Sequence, residues 1–277
     1  AIVCTGSVNF YSGNTRAGAI SDPDAVLSKS ASFRLQSMIG TAPVTLADLT
    51  ASIGLARIGH ATLFKGTELL GQRTSMTVFA GEEAIADYTL NYRAATNTVR
   101  STSVNFYGED KLRATDPSAT SEAPLAMSVS FRGDATLGNL AAVNKDSFEV
   151  TKPLPSGAAP DTKPEVVAKR TSATHFFGDD SIADYTENFR TGTTTVRNVS
   201  VNFYGDGTKR ADQADPDNDA LHHSTTYKTD NVSAISDAKR RSITFFDAHL
   251  GKGEEIADYS LNFRNEGAIV RTASVNF

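Results

Sequence analysis

A chain of 277 residues, 39% of them hydrophobic, can build one large core or several small ones. Its net charge of -5 lacks the basic surplus that nucleic acid selects, and no apolar run approaches the ~18 residues that span a bilayer as a helix. The lone cysteine, Cys4, excludes an intrachain disulfide, and abundant Ser, Thr, Asn, Asp and Gly without tryptophan is the make-up of secreted repetitive β-proteins.

In chain order, the first element is an alternating strand at Ser7-Val8-Asn9-Phe10, followed by an Asp22-Pro23 turn and a second strand over 30–34. Residues 46–71 form an insert in which Leu46, Leu49 and Ile53 have the spacing of one short helix. An aromatic strand over 75–79 leads to Ile85-Ala86-Asp87-Tyr88, then to Asn91-Tyr92-Arg93 and Val99-Arg100. At Ser103-Val104-Asn105-Phe106 the series starts again. Its second pass has a turn at Asp116-Pro117, a strand over 128–132, and a loop over 152–164 punctuated by Pro153, Pro155, Pro160 and Pro164. A strand over 172–177 precedes Asp184-Tyr185, Asn188 and Arg197. The third pass opens at Ser200, Asn202 and Phe203, turns at Asp215-Pro216, and carries strands over 224–228 and 242–246. It continues through Asp258-Tyr259, Asn262 and Arg271 into a fourth motif at Ser274, Asn276 and Phe277.

Ser-Val-Asn-Phe therefore recurs at steps of 96, 97 and 74 residues, the mark of a tandem repeat. The units are 1–102, 103–199 and a shortened 200–277, which ends in the first strand of the next repeat. Residues 1–10 and 268–277 agree at eight of ten positions, so the two ends share one phase. The expected partners are further copies of the chain, head-to-tail or as a continuing repeat. Cys4 aligns with Arg100, Arg197 and Arg271, which gives it a framework position and no redox role.

Period-two alternation puts Ala86, Tyr88, Leu90 and Tyr92 on one face and Asp87, Thr89, Asn91 and Arg93 on the other. Setting Tyr88 beside Val104 and Ala86 beside Phe106 pairs Arg93 with Val99 and leaves a loop at 94–98, matched in length at 191–195 and 265–269. The fold class is all-β: tandem antiparallel hairpins in an elongated sheet or solenoid-like array. Beads of β-sandwich domains are the alternative for a unit of this size. Ser103, Asn105 and their copies Ser200, Asn202, Ser274 and Asn276 are expected to stack as hydrogen-bonded ladders.

Phe106-Tyr107-Gly108 with Leu112-Arg113-Ala114-Thr115, and Phe203-Tyr204-Gly205 with Lys209-Arg210-Ala211, share an aromatic–Gly–x–Arg cadence. It resembles that of the YD-repeat, or Rhs-type, proteins, which build long β-sheet strips that spiral into shells or other cell-surface structures. None of the eight tyrosines is followed by Asp, so the resemblance implies architecture and carries over no functional residues.

An active site needs a singular constellation, whereas these motifs come in triplicate. Asp87, Asp184 and Asp258, with Arg93 and Arg100 nearby, read as cross-strand pairs. No nucleophile elbow, Walker loop or zinc motif is present in the sequence. His222 and His223 adjoin in a strand, whose neighbours point to opposite faces, and so make poor joint metal ligands. Asp212, Asp215, Asp217 and Asp219 place carboxylates as calcium loops do, but Ala220 and Thr226 stand where an EF-hand needs Gly and Glu. An acidic turn is the simpler reading. The expectation is a non-enzymatic structural segment of an extracellular or cell-surface filament, sheath or shell, with no cofactor. An adhesin or binding stalk whose inserts carry recognition is the alternative, and a carbohydrate-active enzyme comes third.

Overall fold

The computed structural model describes residues 5–35, 38–39, 42–43, 59–65, 67–159, 161–249, 251–264 and 269–276. The first unit holds β1 (Thr5–Tyr11), β2 (Leu27–Leu35), the short pair β3 (Met38–Ile39) and β4 (Ala42–Pro43), β5 (Thr62–Lys65), β6 (Glu68–Ala80) and β7 (Ile85–Tyr92). The second holds β8 (Val99–Tyr107), β9 (Leu112–Arg113), β10 (Leu125–Gly133), β11 (Glu149–Thr151), β12 (Val166–Phe177) and β13 (Ile182–Phe189). The third holds β14 (Val196–Tyr204), β15 (Leu221–Tyr227), β16 (Arg240–Asp247) and β17 (Ile256–Phe263), and β18 (Val270–Val275) begins the next.

All of these strands except β3 and β4, which pair with each other, form one open antiparallel sheet of 16 strands in the order β1-β2-β6-β7-β8-β10-β12-β13-β14-β15-β16-β17-β18, with β5, β9 and β11 at its margins. Separate sandwiches do not occur, because β7 pairs with β8, β13 with β14 and β17 with β18 across every unit boundary. The repeat is thus four strands of an up-and-down meander. At ~4.8 Å per strand, a unit advances the ribbon about 19 Å along its long axis.

One face is polar along its middle rows. A single row of paired residues crosses the sheet as Asn9, Ser30, Thr77, Thr89, Ser103, Ser130, Ser172, Asn188 and Asn198. The row through Asn9 in β1 meets the counterpart of Ser7, namely Ser103, in β8. The next row behaves alike, leaving β8 at Asn105 and reaching β14 at Ser200. Each unit is therefore staggered by two residues along the strands. Given ~3.3 Å per residue, the strands lean about 19° from the perpendicular to the ribbon axis.

The other face carries the core. Val104, Phe106, Met127, Val129 and Phe131 are buried beneath the connection 134–165, which contributes Ala135, Val143 and Val150. Thr102 fastens the start of that connection by donating to Gly133 O and accepting from Ala135 N, both at 3.1 Å. Gly133 is at φ +116°, and a Cβ there would stand 2.4 Å from Val167 O, so no other residue fits. The first unit buries Val8, Phe10, Ala31, Phe33, Leu35, Leu63 and Leu70. In the third, Val199, Val201 and Tyr227 are covered only by the short connection 228–239, through Val232 and Ile235.

The hairpins over 86–106 and 183–203, and the described part of that over 257–277, share one antiparallel backbone. Tyr88, Tyr185 and Tyr259 pair with Val104, Val201 and Val275. The turns close identically, Arg93, Arg190 and Arg264 donating their N–H to the carbonyls of Thr98, Thr195 and Ile269. The expected register needs one correction. Val99 pairs with Tyr92 rather than Arg93, because Arg100 is an extra residue in its strand, and Ala86 pairs with Phe79 and not with Phe106. The helix expected around Leu46, Leu49 and Ile53 lies outside the described residues, as do Cys4 and Phe277.

Candidate functional site

All twelve pairings along the path carry a one-residue shift, and the shifts fall at equivalent positions in every unit. Between β6 and β7 the extra residue is Asp87, and its counterparts are Asp184 and Asp258. Between β7 and β8 it is Arg100, repeated as Arg197 and Arg271. The most regular residues of the sequence are thus bulge residues. A bulge sets two neighbours against one partner and turns the first out of alternation.

That displacement moves Asp87 off the polar face on which alternation placed it. Asp87 is 3% exposed and lies on the covered side. Its partner is neither Arg93 nor Arg100 but Arg113 of β9, whose Nε and Nη2 donate to Asp87 Oδ1 at 2.7 Å and Oδ2 at 2.6 Å. Arg113 Nη1 goes on to Leu140 O at 3.0 Å and Val143 O at 3.3 Å, which ties the bulge to the covering connection. Asp184 and Arg210 repeat the two-pronged pair at 2.7 Å for both bonds. Asp258 is exposed and has no guanidinium partner among the described residues.

The bulge also strands a carbonyl. Ala86 O, freed from the ladder, accepts from Asn105 Nδ2 at 3.2 Å and Tyr107 Oη at 2.6 Å. Ala183 O accepts from Asn202 at 3.0 Å and Tyr204 at 2.5 Å, and Ala257 O from Asn276 at 2.9 Å. A buried carbonyl without a donor costs about 1–3 kcal/mol, which gives each Asn a fixed duty. Burial raises the pKa of both tyrosines above the ordinary phenol value and keeps them as donors. The copies of Ser103 lie four strands apart and do not stack on one another; each bonds instead to the adjacent strand, the Ser103 and Ser130 hydroxyls meeting at 2.9 Å, as do Ser200 and Thr226. Asn91, Asn188 and Asn262 bond laterally to Ser101, Asn198 and Thr272.

A third recurring contact escaped the sequence reading. Arg73, Arg170 and Arg240 lie over the rings of Tyr92, Phe189 and Phe263, at 3.8, 4.3 and 5.4 Å from their centroids. Burial lowers the pKa of Arg73 and of Arg170 below the usual guanidinium value.

His222 is the bulge residue of β15, so it does not oppose His223. Their Nδ1 atoms are 3.0 Å apart. Burial, with His222 and Arg240 adding to it, pushes the His223 pKa down to about 4. His223 also belongs to a stack with Phe203 at 4.6 Å and Phe245 at 5.5 Å, which Tyr259 extends at 4.6 Å from Phe245. The aspartate run is spent on its own turn. Asp215 Oδ1 accepts from Asp217 N at 2.9 Å, and Asp219 Oδ2 accepts from Asp215 N and Lys209 Nζ, both at 2.8 Å. Asp22 and Asp116 make the same turn bond to the residue two ahead. Among the described residues no three ligating side chains converge, around Asp212 or elsewhere.

The polar face holds a cleft of about 1020 Å³ beside the first boundary, lined by Arg93, Arg100 and Arg132 with Thr74, Asn91 and Thr171. Among the described residues no helix is long and apolar enough to cross a membrane. Comparison of the chain with protein-family models, with curated proteins and with solved structures finds no match.

Proposed function

We propose that this chain is a structural segment of a long extracellular or cell-surface β-ribbon, built as a filament, sheath or shell by continuing the same four-strand unit. The observation that carries this reading is the sameness of every boundary: one register, one bulge pattern and one two-residue stagger join β7 to β8, β13 to β14 and β17 to β18. The recurrent Asp, Asn, Tyr and Arg side chains serve this geometry, which argues for a scaffold over an enzyme. Each edge asks for a defined neighbour. β18 stands to β17 as β8 stands to β7, so its outer edge suits a strand of the β10 type, and β1 suits one of the β7 type.

A concatemer tests this reading, made by following Phe277 directly with residue 11 of a second copy. Small-angle scattering should show the long dimension growing by about 58 Å per copy, twelve strands at ~4.8 Å each. Two independently tumbling particles, or a helical far-ultraviolet spectrum, would refute it.

A further inference from the structure

The meander sends alternate connections to opposite rims of the ribbon, and the two rims differ in charge. At one rim lie the turns 12–26, 81–84, 108–124, 178–181, 205–220 and 248–255, and in each of the six carboxylates outnumber cations. Three of them share one device. Gly81-Glu82-Glu83-Ala84, Gly108-Glu109-Asp110-Lys111 and Gly178-Asp179-Asp180-Ser181 hold their first and fourth residues at positive φ, and the acidic pair between them is exposed.

At the opposite rim the strand ends and hairpin turns present cations. Arg93, Arg100 and Arg132 cluster at the first boundary, Arg190, Arg197 and Lys228 at the second, and Arg264 and Arg271 at the third. All are exposed, and among the described residues none has a carboxylate within ion-pair distance. This sets them apart from Arg113 and Arg210, which are committed to Asp87 and Asp184. The connection 134–165 on the same rim brings five carboxylates against three lysines, so the cationic character is concentrated in these boundary clusters, which recur every four strands, while the acidic turns recur every two.

We propose that the rims are complementary contact surfaces, through which a second copy of this chain packs alongside the first, acidic rim against basic rim. The strongest argument is periodicity. The cationic clusters repeat every ~19 Å and the acidic turns, two strands apart, every ~10 Å, so every second acidic turn of one ribbon can meet a cationic cluster of the next in step. This contact runs in the strand direction and is distinct from continuation across the sheet edges. It turns a ribbon into a wall.

The test is sedimentation velocity of the full chain between about 10 mM and about 1 M salt, where screening shortens from ~30 Å to ~3 Å. Association should appear at low salt and vanish at high salt. One variant carries Arg93→Glu, Arg100→Glu and Arg132→Glu, and another carries Glu82→Lys, Glu109→Lys and Asp179→Lys. Each alone should lose at least tenfold in association constant, and mixing the two should restore it, with far-ultraviolet dichroism reporting that both fold. Association that persists in high salt, or that neither variant weakens, would overturn the proposal and point to the sheet edges. A wild-type chain that stays monomeric at low salt while binding heparin or calcium would overturn it in favour of another partner.

Discussion

The second and third units use the same four strands, yet they are protected differently. In the second, the connection 134–165 lies over the sheet and the equivalents at its centre, Val104, Val129 and Phe131, are at 0% exposure. In the third, the same positions, Val201, Thr225 and Tyr227, are still at 0%, 2% and 6% beneath the shorter connection 228–239, but Ile256 farther along the unit is at 55% where its counterpart Ile182 is half-buried. Backbone pairing is the same in both. What differs is the burial that side chains gain from a second layer, so the comparison separates ladder from core.

Replacing Phe131 and its counterpart Tyr227 with Ala is the strongest way to break the contrast. Phe131→Ala should cost about 3–5 kcal/mol in urea unfolding followed by circular dichroism. Tyr227→Ala, under the thinner cover, should cost less. Equal losses would mean that the covering layer contributes nothing.

The three bulge aspartates grade the same contrast. Asp87→Ala leaves Arg113 buried and unpaired, and should also cost about 3–5 kcal/mol. Asp184→Ala should cost less, since the side chains of Asp184 and Arg210 are 19% and 25% exposed against 4% and 11% for those of the first pair. Asp258→Ala should stay within about 0.5 kcal/mol.

Tyr107→Phe removes one of two donors to Ala86 O, a loss of about 1 kcal/mol by the same measurement. A pH dependence is expected in the third unit. His223 is held neutral down to about 4, whereas an unfolded histidine titrates near 6.5. Between these values the unfolded chain binds a proton that the folded one refuses, so this contribution is full above about 6.5 and falls as the pH drops toward 4. Hydrogen exchange at pH 5 should show β15 and β16 opening more readily than β10 and β12, where Met127 replaces His223. His223→Met should remove the difference.

Much of this was legible in the residues themselves. Alternation and the spacing of Ser-Val-Asn-Phe give the strands, their antiparallel sense and the Tyr88–Val104 register. The bulges were not legible, because one inserted polar residue leaves a period-two pattern almost intact: Ala86-Asp87-Tyr88 reads as ordinary in-out-in. Three errors follow from that omission: the face assigned to Asp87, the pairing of Arg93 with Val99, and the opposition assigned to His222 and His223. The partner of Asp87 was hidden for another reason. Arg113 lies 26 residues away in a strand of two residues, too short for any periodicity. The continuity of the sheet across boundaries depends on which edges remain open, a property of the assembled strands that no local pattern encodes.

The lean and order of the strands also fix how the ribbon responds to load. Its strands lie across the long axis, so traction between β1 and β18 pulls along the interstrand hydrogen bonds and strains the pairings one after another, in series. Such a geometry peels, each released strand paying out its contour length before the next is stressed. Traction along the strands would instead load many bonds at once, in shear. Any fabric woven from these units is therefore compliant in one direction and stiff in the other, and its weakest stitches are the thinly covered pairings β16–β17 and β17–β18.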